Sequence, residues 1–124
     1  MRCAAIGLTI VLAACGSDAA TGTSTTVVPG AGDAVRGLTV FNGSCVACHG
    51  PGGVGVTGLG KPLTTSTFAA GLSDAELLAF LDLGRAAGDP LNTTGILMPR
   101  RGGNPALTDA DLMDVIAFVR TING

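Results

Sequence analysis

The order of apolar and polar positions divides the chain into three stretches. Residues 1 to 15, MRCAAIGLTIVLAAC, carry one positive charge at Arg2, followed by uncharged, mostly apolar residues from Cys3 to Ala14. Residues 16 to 30, GSDAATGTSTTVVPG, are rich in Ser, Thr and Gly and have no amphipathic period. From residue 31 onward the pattern becomes helical. Ser73-Asp74-Ala75-Glu76 is a capping box, and Leu77, Phe80 and Leu81 follow at helical spacing, with Gly84 as the stop. Thr108 caps a last helix, with Asp109 and Asp111 in its first turn, where the helix dipole favours anions. Leu112, Val115, Ile116 and Val119 then recur at i, i+3, i+4 and i+7. No comparable alternating run occurs, so the expected class is all-α.

The first stretch is too short to span a membrane, since a hydrocarbon core of roughly 30 Å needs about 20 apolar helical residues. It has the proportions of a secretory signal. Leu12-Ala13-Ala14-Cys15 resembles the lipobox of bacterial lipoproteins. That resemblance implies cleavage before Cys15 and a diacylglycerol on its thiol. The expected organisation is a signal peptide over 1–14, a lipidated cysteine and tether over 15–30, and a folded domain over 31–124. As a flexible coil the tether averages about 20 Å, which keeps the domain near the extracytoplasmic face of a bacterial envelope membrane.

Composition narrows the chemistry. Hydrophobic residues make up 47% of the 124, yet aromatics only 3%: four Phe, no Trp and no Tyr. The core is therefore built from small aliphatic groups, or bulk comes from outside the amino acids. A net charge of −2 with so few aromatics removes both the phosphate-neutralising stripe and the stacking platforms of nucleic-acid binding. The single histidine, His49, excludes any site that takes two imidazoles from one chain.

Of four cysteines, Cys3 and Cys15 fall in the leader and at the lipidation position, leaving Cys45 and Cys48 for the fold. They stand in Cys45-Val46-Ala47-Cys48-His49, the CxxCH pattern of c-type haem attachment. On a helical turn this spacing presents both sulfurs to one edge of a macrocycle, and His49 reaches the iron as proximal ligand. A thioredoxin-like pair would need a βαβ setting, and a zinc site would need wider ligand spacing and a second pair. For the sixth position Met98, in a loop of Gly, Pro and Asn and held extended by Pro99, is favoured. Met113 reads as a core residue of the last helix. An open sixth site remains the alternative if Met98 points away.

With these residues in hand, the chain resembles class I monohaem cytochromes c over residues 31 to 124. The likeness rests on Gly37 and Phe41 in a first helix, CVACHG, a Gly-rich loop leading to Lys61-Pro62-Leu63, the Met98-Pro99 loop, and Phe118 in the last helix. It implies a bundle of about three to five helices around one haem c attached through Cys45 and Cys48. The first and last helices would cross at Gly37 and Phe118. His49 and Met98 would be the axial pair, and the Pro62 carbonyl would accept the free ring N–H of His49. Taken with the lipobox resemblance at Cys15, it further implies a monomeric, lipid-anchored single-electron carrier, not an enzyme, serving redox proteins of the cell envelope. The alternative is a permanently bound haem subunit of a larger oxidase or dehydrogenase.

The remaining motifs are decoys. Gly50 to Gly55 satisfies GxGxxG without a strand before it or a helix after it. Gly55 to Lys61 fits GxxxxGK, but Pro62 takes the place of the magnesium-binding hydroxyl. Asn92-Thr93-Thr94 matches a glycosylation sequon that has little weight in a bacterial envelope. Leu59, Leu63, Phe68, Leu72 and Ile96 are expected to close around the porphyrin. Carboxylates concentrate on the helices at Asp74, Glu76, Asp82, Asp109, Asp111 and Asp114. Lys61, Arg85, Arg100 and Arg101 fall instead in loops bordering the porphyrin and read as ordinary solvated side chains or a propionate partner. The alternative is a small basic rim that steers an acidic docking face.

Overall fold

The computed structural model describes residues 30–124, so the leader, Cys15 and nearly all of the tether lie outside the described residues. Five α-helices follow one another: α1 (Ala34–Ser44), α2 (Val46–His49), α3 (Thr67–Gly71), α4 (Asp74–Leu83) and α5 (Asp109–Ile122). Single 3-10 turns lie at Pro51–Gly53 and Arg100–Gly103. Among the described residues there are no strands, only isolated bridges at Val56–Gly60 and Arg85–Met98. The all-α expectation holds.

The helix ends are where the sequence put them. Ser73 accepts the Glu76 backbone N–H while the Glu76 carboxylate accepts the Ser73 N–H, and Thr108 and Asp111 close a second reciprocal box. Both acids are held below their ordinary pKa, chiefly by the capping hydroxyls of Ser73 and Thr108. Gly84 ends α4 at φ 69°, a left-handed turn that glycine makes without steric cost. Helices α2 and α3, at four and five residues, are too short for periodicity to reveal.

Helices α1 and α5 cross at Gly37. A Cβ there would run into the Asp114 carbonyl and come within 3.0 Å of the Phe118 Cβ. The close approach brings the Phe41 and Phe118 rings to 5.1 Å. Leu112, Val115, Ile116 and Val119 are all buried, as their spacing requires, and Met113 packs against the same core. The pair is pinned where α1 begins: Asp114 accepts the Asp33 N–H at 2.6 Å and the Arg36 Nε–H at 2.8 Å. Arg120 binds α5 to the α3–α4 corner, donating to Asp74 (3.0 Å) and to the carbonyls of Ala69 (2.6 Å) and Leu72 (2.5 Å). Together α1 and α5 make one wall, and the other elements fold back to enclose a cavity against it.

Candidate functional site

The cavity holds about 330 Å³, within the range of cofactor sites. Cys45, at the N-cap of α2, lines it with Cys48 and His49 of that helix, Leu77, Phe80 and Leu81 from α4, and Met98 from the loop beyond. The rest of the lining is largely aliphatic or aromatic. Leu59, Phe68, Leu91, Ile96 and Leu97 line the cavity and remain at least 40% exposed. That is a concentration of uncovered apolar surface uncommon in a small domain. Leu72 departs from expectation: it packs against the α5 core while its carbonyl serves Arg120.

Both thiols are free. Burial, and secondarily the neighbouring Cys48, push the Cys45 thiol up to about 11, so at neutral pH it is uncharged. The glycine-rich loop lies directly on α2, because a Cβ on Gly60 would collide with the Cys48 carbonyl. His49 is fixed through its ring: Nδ1–H donates to the Lys61 carbonyl at 2.9 Å. A carbonyl can only accept, so the proton is on Nδ1 and the Nε2 lone pair of the neutral ring is left for a metal.

The acceptor is thus the Lys61 carbonyl, and the expectation for Pro62 is corrected by one residue. The Pro62 ring lies on Gly55, where a Cβ would come within 2.7 Å of the proline nitrogen. Gly55 itself donates to the His49 carbonyl at 2.6 Å. Seating the proline ring there turns the Lys61–Pro62 peptide, and with it the Lys61 oxygen, toward the imidazole.

Met98 is held by its backbone. Its N–H donates to the Arg85 carbonyl (2.9 Å) and its carbonyl accepts the Arg85 N–H (2.8 Å). Gly84 makes this approach possible, since a Cβ there would strike the Met98 oxygen. The Arg85 guanidinium stacks on Phe68 at 4.6 Å and Phe80 at 4.8 Å, which favours a cation over ring faces. Asn92 shapes the intervening loop: its amide donates to Ala86 (2.9 Å) and Ile96 (2.7 Å) carbonyls, and its oxygen accepts from the Thr94 and Gly95 N–H groups. Sequence reading missed this role. The signal was an Asn followed by Thr-Thr-Gly, an Asx-turn pattern.

The basic-rim alternative is the reading that the structure corrects. Lys61, Arg85 and Arg101 border the cavity, but Arg100 does not. The arginines are paired: Arg101 with Asp82 (2.6 Å) and Asp109 (2.7 Å), Arg100 with Asp82 (3.5 Å), Arg85 with Asp89 (4.0 Å). Arg100 and Arg101 are thus paired with helix carboxylates, and Arg85 with a carboxylate of its own loop.

Against this geometry, the family model for cytochrome c matches residues 34–123. The chain belongs to the cytochrome c family. It is of class I, and Cys45 and Cys48 are the pair through which such a domain holds haem c. One curated relative is the cbb3-type cytochrome c oxidase subunit FixP of Bradyrhizobium diazoefficiens, 42% identical over 55 residues. That match takes in 44% of this cytochrome and 19% of the relative. No solved structure matches the chain. Haem-based electron transfer follows from the family, and the apolar cavity with two free thiols and an oriented imidazole on one wall fits that group.

Proposed function

We propose that this cytochrome is a membrane-tethered single-electron carrier whose haem takes His49 and Met98 as axial ligands. The observation that carries the reading is the meeting of the Cys45-Cys48-His49 turn with Met98, distant from it in sequence, around one apolar cavity. When bound, haem c supplies a one-electron couple. The chain does the rest. Lys61 fixes the His49 tautomer, the Arg85 bridge fixes the Met98 backbone, and the apolar lining excludes water. His49 and Met98 would together hold the metal, leaving it no position for a substrate, and the role would then be transfer and not catalysis. Thioether ligation raises the potential relative to a second imidazole.

The anchor belongs to the same proposal. Leu12-Ala13-Ala14-Cys15 supports removal of residues 1–14 and lipidation of Cys15, with residues 15–30 as tether and the domain on the extracytoplasmic side as a monomer. No helix among the described residues is long and apolar enough to cross a membrane. A Cys15→Ser variant is expected to leave the membrane fraction for the soluble one, and continued sedimentation with membranes rejects the anchor.

Ligation is tested on ferric holoprotein, through the weak long-wavelength absorption band of methionine sulfur on haem. The wild type shows it and Met98→Ala loses it; a band that survives in Met98→Ala removes Met98 from the reading. The similarity to an oxidase subunit favours one second reading, a haem subunit bound permanently within a larger complex. Stoichiometric co-purification with an oxidase through salt and detergent washes would select it over the free carrier.

A further inference from the structure

Arg101 is the one non-glycine residue at positive φ among the described residues (φ 49°, ψ 35°). The left-handed conformation costs free energy for any residue with a Cβ, and Gly102 and Gly103 follow at positive φ. A third glycine would fit this turn better than arginine, so the side chain must contribute something the backbone opposes. It is only 22% exposed and lines the same cavity as Met98, three residues upstream. Its guanidinium spans three elements: Nε donates to Asp82 at the end of α4 (2.6 Å), Nη1 to the Leu107 carbonyl (2.7 Å) and Nη2 to Asp109 at the start of α5 (2.7 Å). Arg100 adds a bond from its Nε to the Asp82 carbonyl at 2.7 Å.

Asp82 is also out of place by local rules. A carboxylate in the last turn of a helix faces the negative end of its dipole, so Asp82 does not serve α4. Its partners are the two arginines that immediately follow Met98-Pro99. We infer that Asp82 and Arg101 are positioning residues for Met98, forming a clamp that holds the downstream side of its loop as the Arg85 bridge holds the upstream side. The clamp keeps the thioether at the metal and slows its exchange with outside ligands. This rests on the reading of Met98 as the axial ligand.

The test is imidazole titration of ferric holoprotein, read at the long-wavelength band, with thermal unfolding alongside. Arg101→Gly removes the clamp while relieving the backbone strain, so it keeps the fold. Its apparent imidazole affinity rises about tenfold, as expected for loss of a charge-assisted hydrogen bond that held one of two conformers. Asp82→Asn shifts it in the same direction. Arg120→Gln breaks a comparable charged cluster at the opposite end of α5, away from the Met98 loop, and lowers the melting temperature without changing imidazole affinity. Wild-type affinity in Arg101→Gly, or an equal rise in Arg120→Gln, overturns the clamp. Met98→Ala separates the two readings: if it keeps the sulfur band the ligand is wrong, whereas its loss combined with wild-type affinity in Arg101→Gly sinks the clamp alone.

Discussion

Asp114 is the one charged side chain buried among the described residues, at 4% exposure. Bonding from Arg36, and further from the Asp33 N–H, outweighs its desolvation and holds its pKa below the ordinary carboxylate range. A carboxylate depressed in the folded state contributes stability that is complete above its unfolded pKa of about 3.9 and is lost as pH falls through the folded value. Asp114→Asn is therefore expected to lower unfolding free energy at pH 7 by about 1–3 kcal/mol, with the gap to wild type closing toward pH 2. Urea unfolding at both pH values checks this, and a gap independent of pH contradicts it. Asn92→Ala should loosen the loop before Met98, visible as faster proteolysis between residues 86 and 96 with little change elsewhere.

Among the elements, the α1–α5 crossing is the most demanding. Gly37→Ala forces the helices apart against the Asp114 carbonyl and Phe118, and is expected to cost about 1–3 kcal/mol, measured by denaturant midpoint. A wild-type midpoint would show that the crossing tolerates a methyl group. Elements with local signals were legible in the sequence. The capping boxes at Ser73 and Thr108, the stop at Gly84 and the buried stripe of α5 depend on neighbours within a few residues, and each is present. What escaped was long-range. No spacing tells that Asp82 meets Arg101, that Arg85 lies on Phe68 and Phe80, or that Leu72 turns to the core. Cys45, Cys48, His49 and Met98, singled out by residue type, all line the cavity, whereas the identity of the His49 acceptor depended on how a proline ring seats against Gly55.

In the whole molecule, the buried core sits on the α1–α5 side, where Phe41 and Ile116 are its fully enclosed large side chains. The opposite half has apolar side chains facing the cavity. The scarcity of aromatic residues is then a property of a fold whose largest core element is the covalently held porphyrin. Without haem the domain is expected to lose cooperative unfolding by circular dichroism and amide protection throughout the α4–Met98 region. A cooperative, protected apo form would contradict this. Charge pairing has its own consequence at this scale. Among the described residues Lys61 alone of the basic side chains pairs with no carboxylate. Electron exchange with a redox partner, followed by stopped flow, should change by less than about twofold from low to physiological salt. A steep salt dependence would mean that the arginines act as free charges.

The proposed carrier has a haem closed on both sides by the protein's own residues. The most direct measurement is addition of carbon monoxide to the reduced holoprotein at neutral pH. With His49 and Met98 both in place the ferrous spectrum stays unchanged on mixing. Rapid, stoichiometric formation of a carbon monoxide complex would show an open sixth position and a different function.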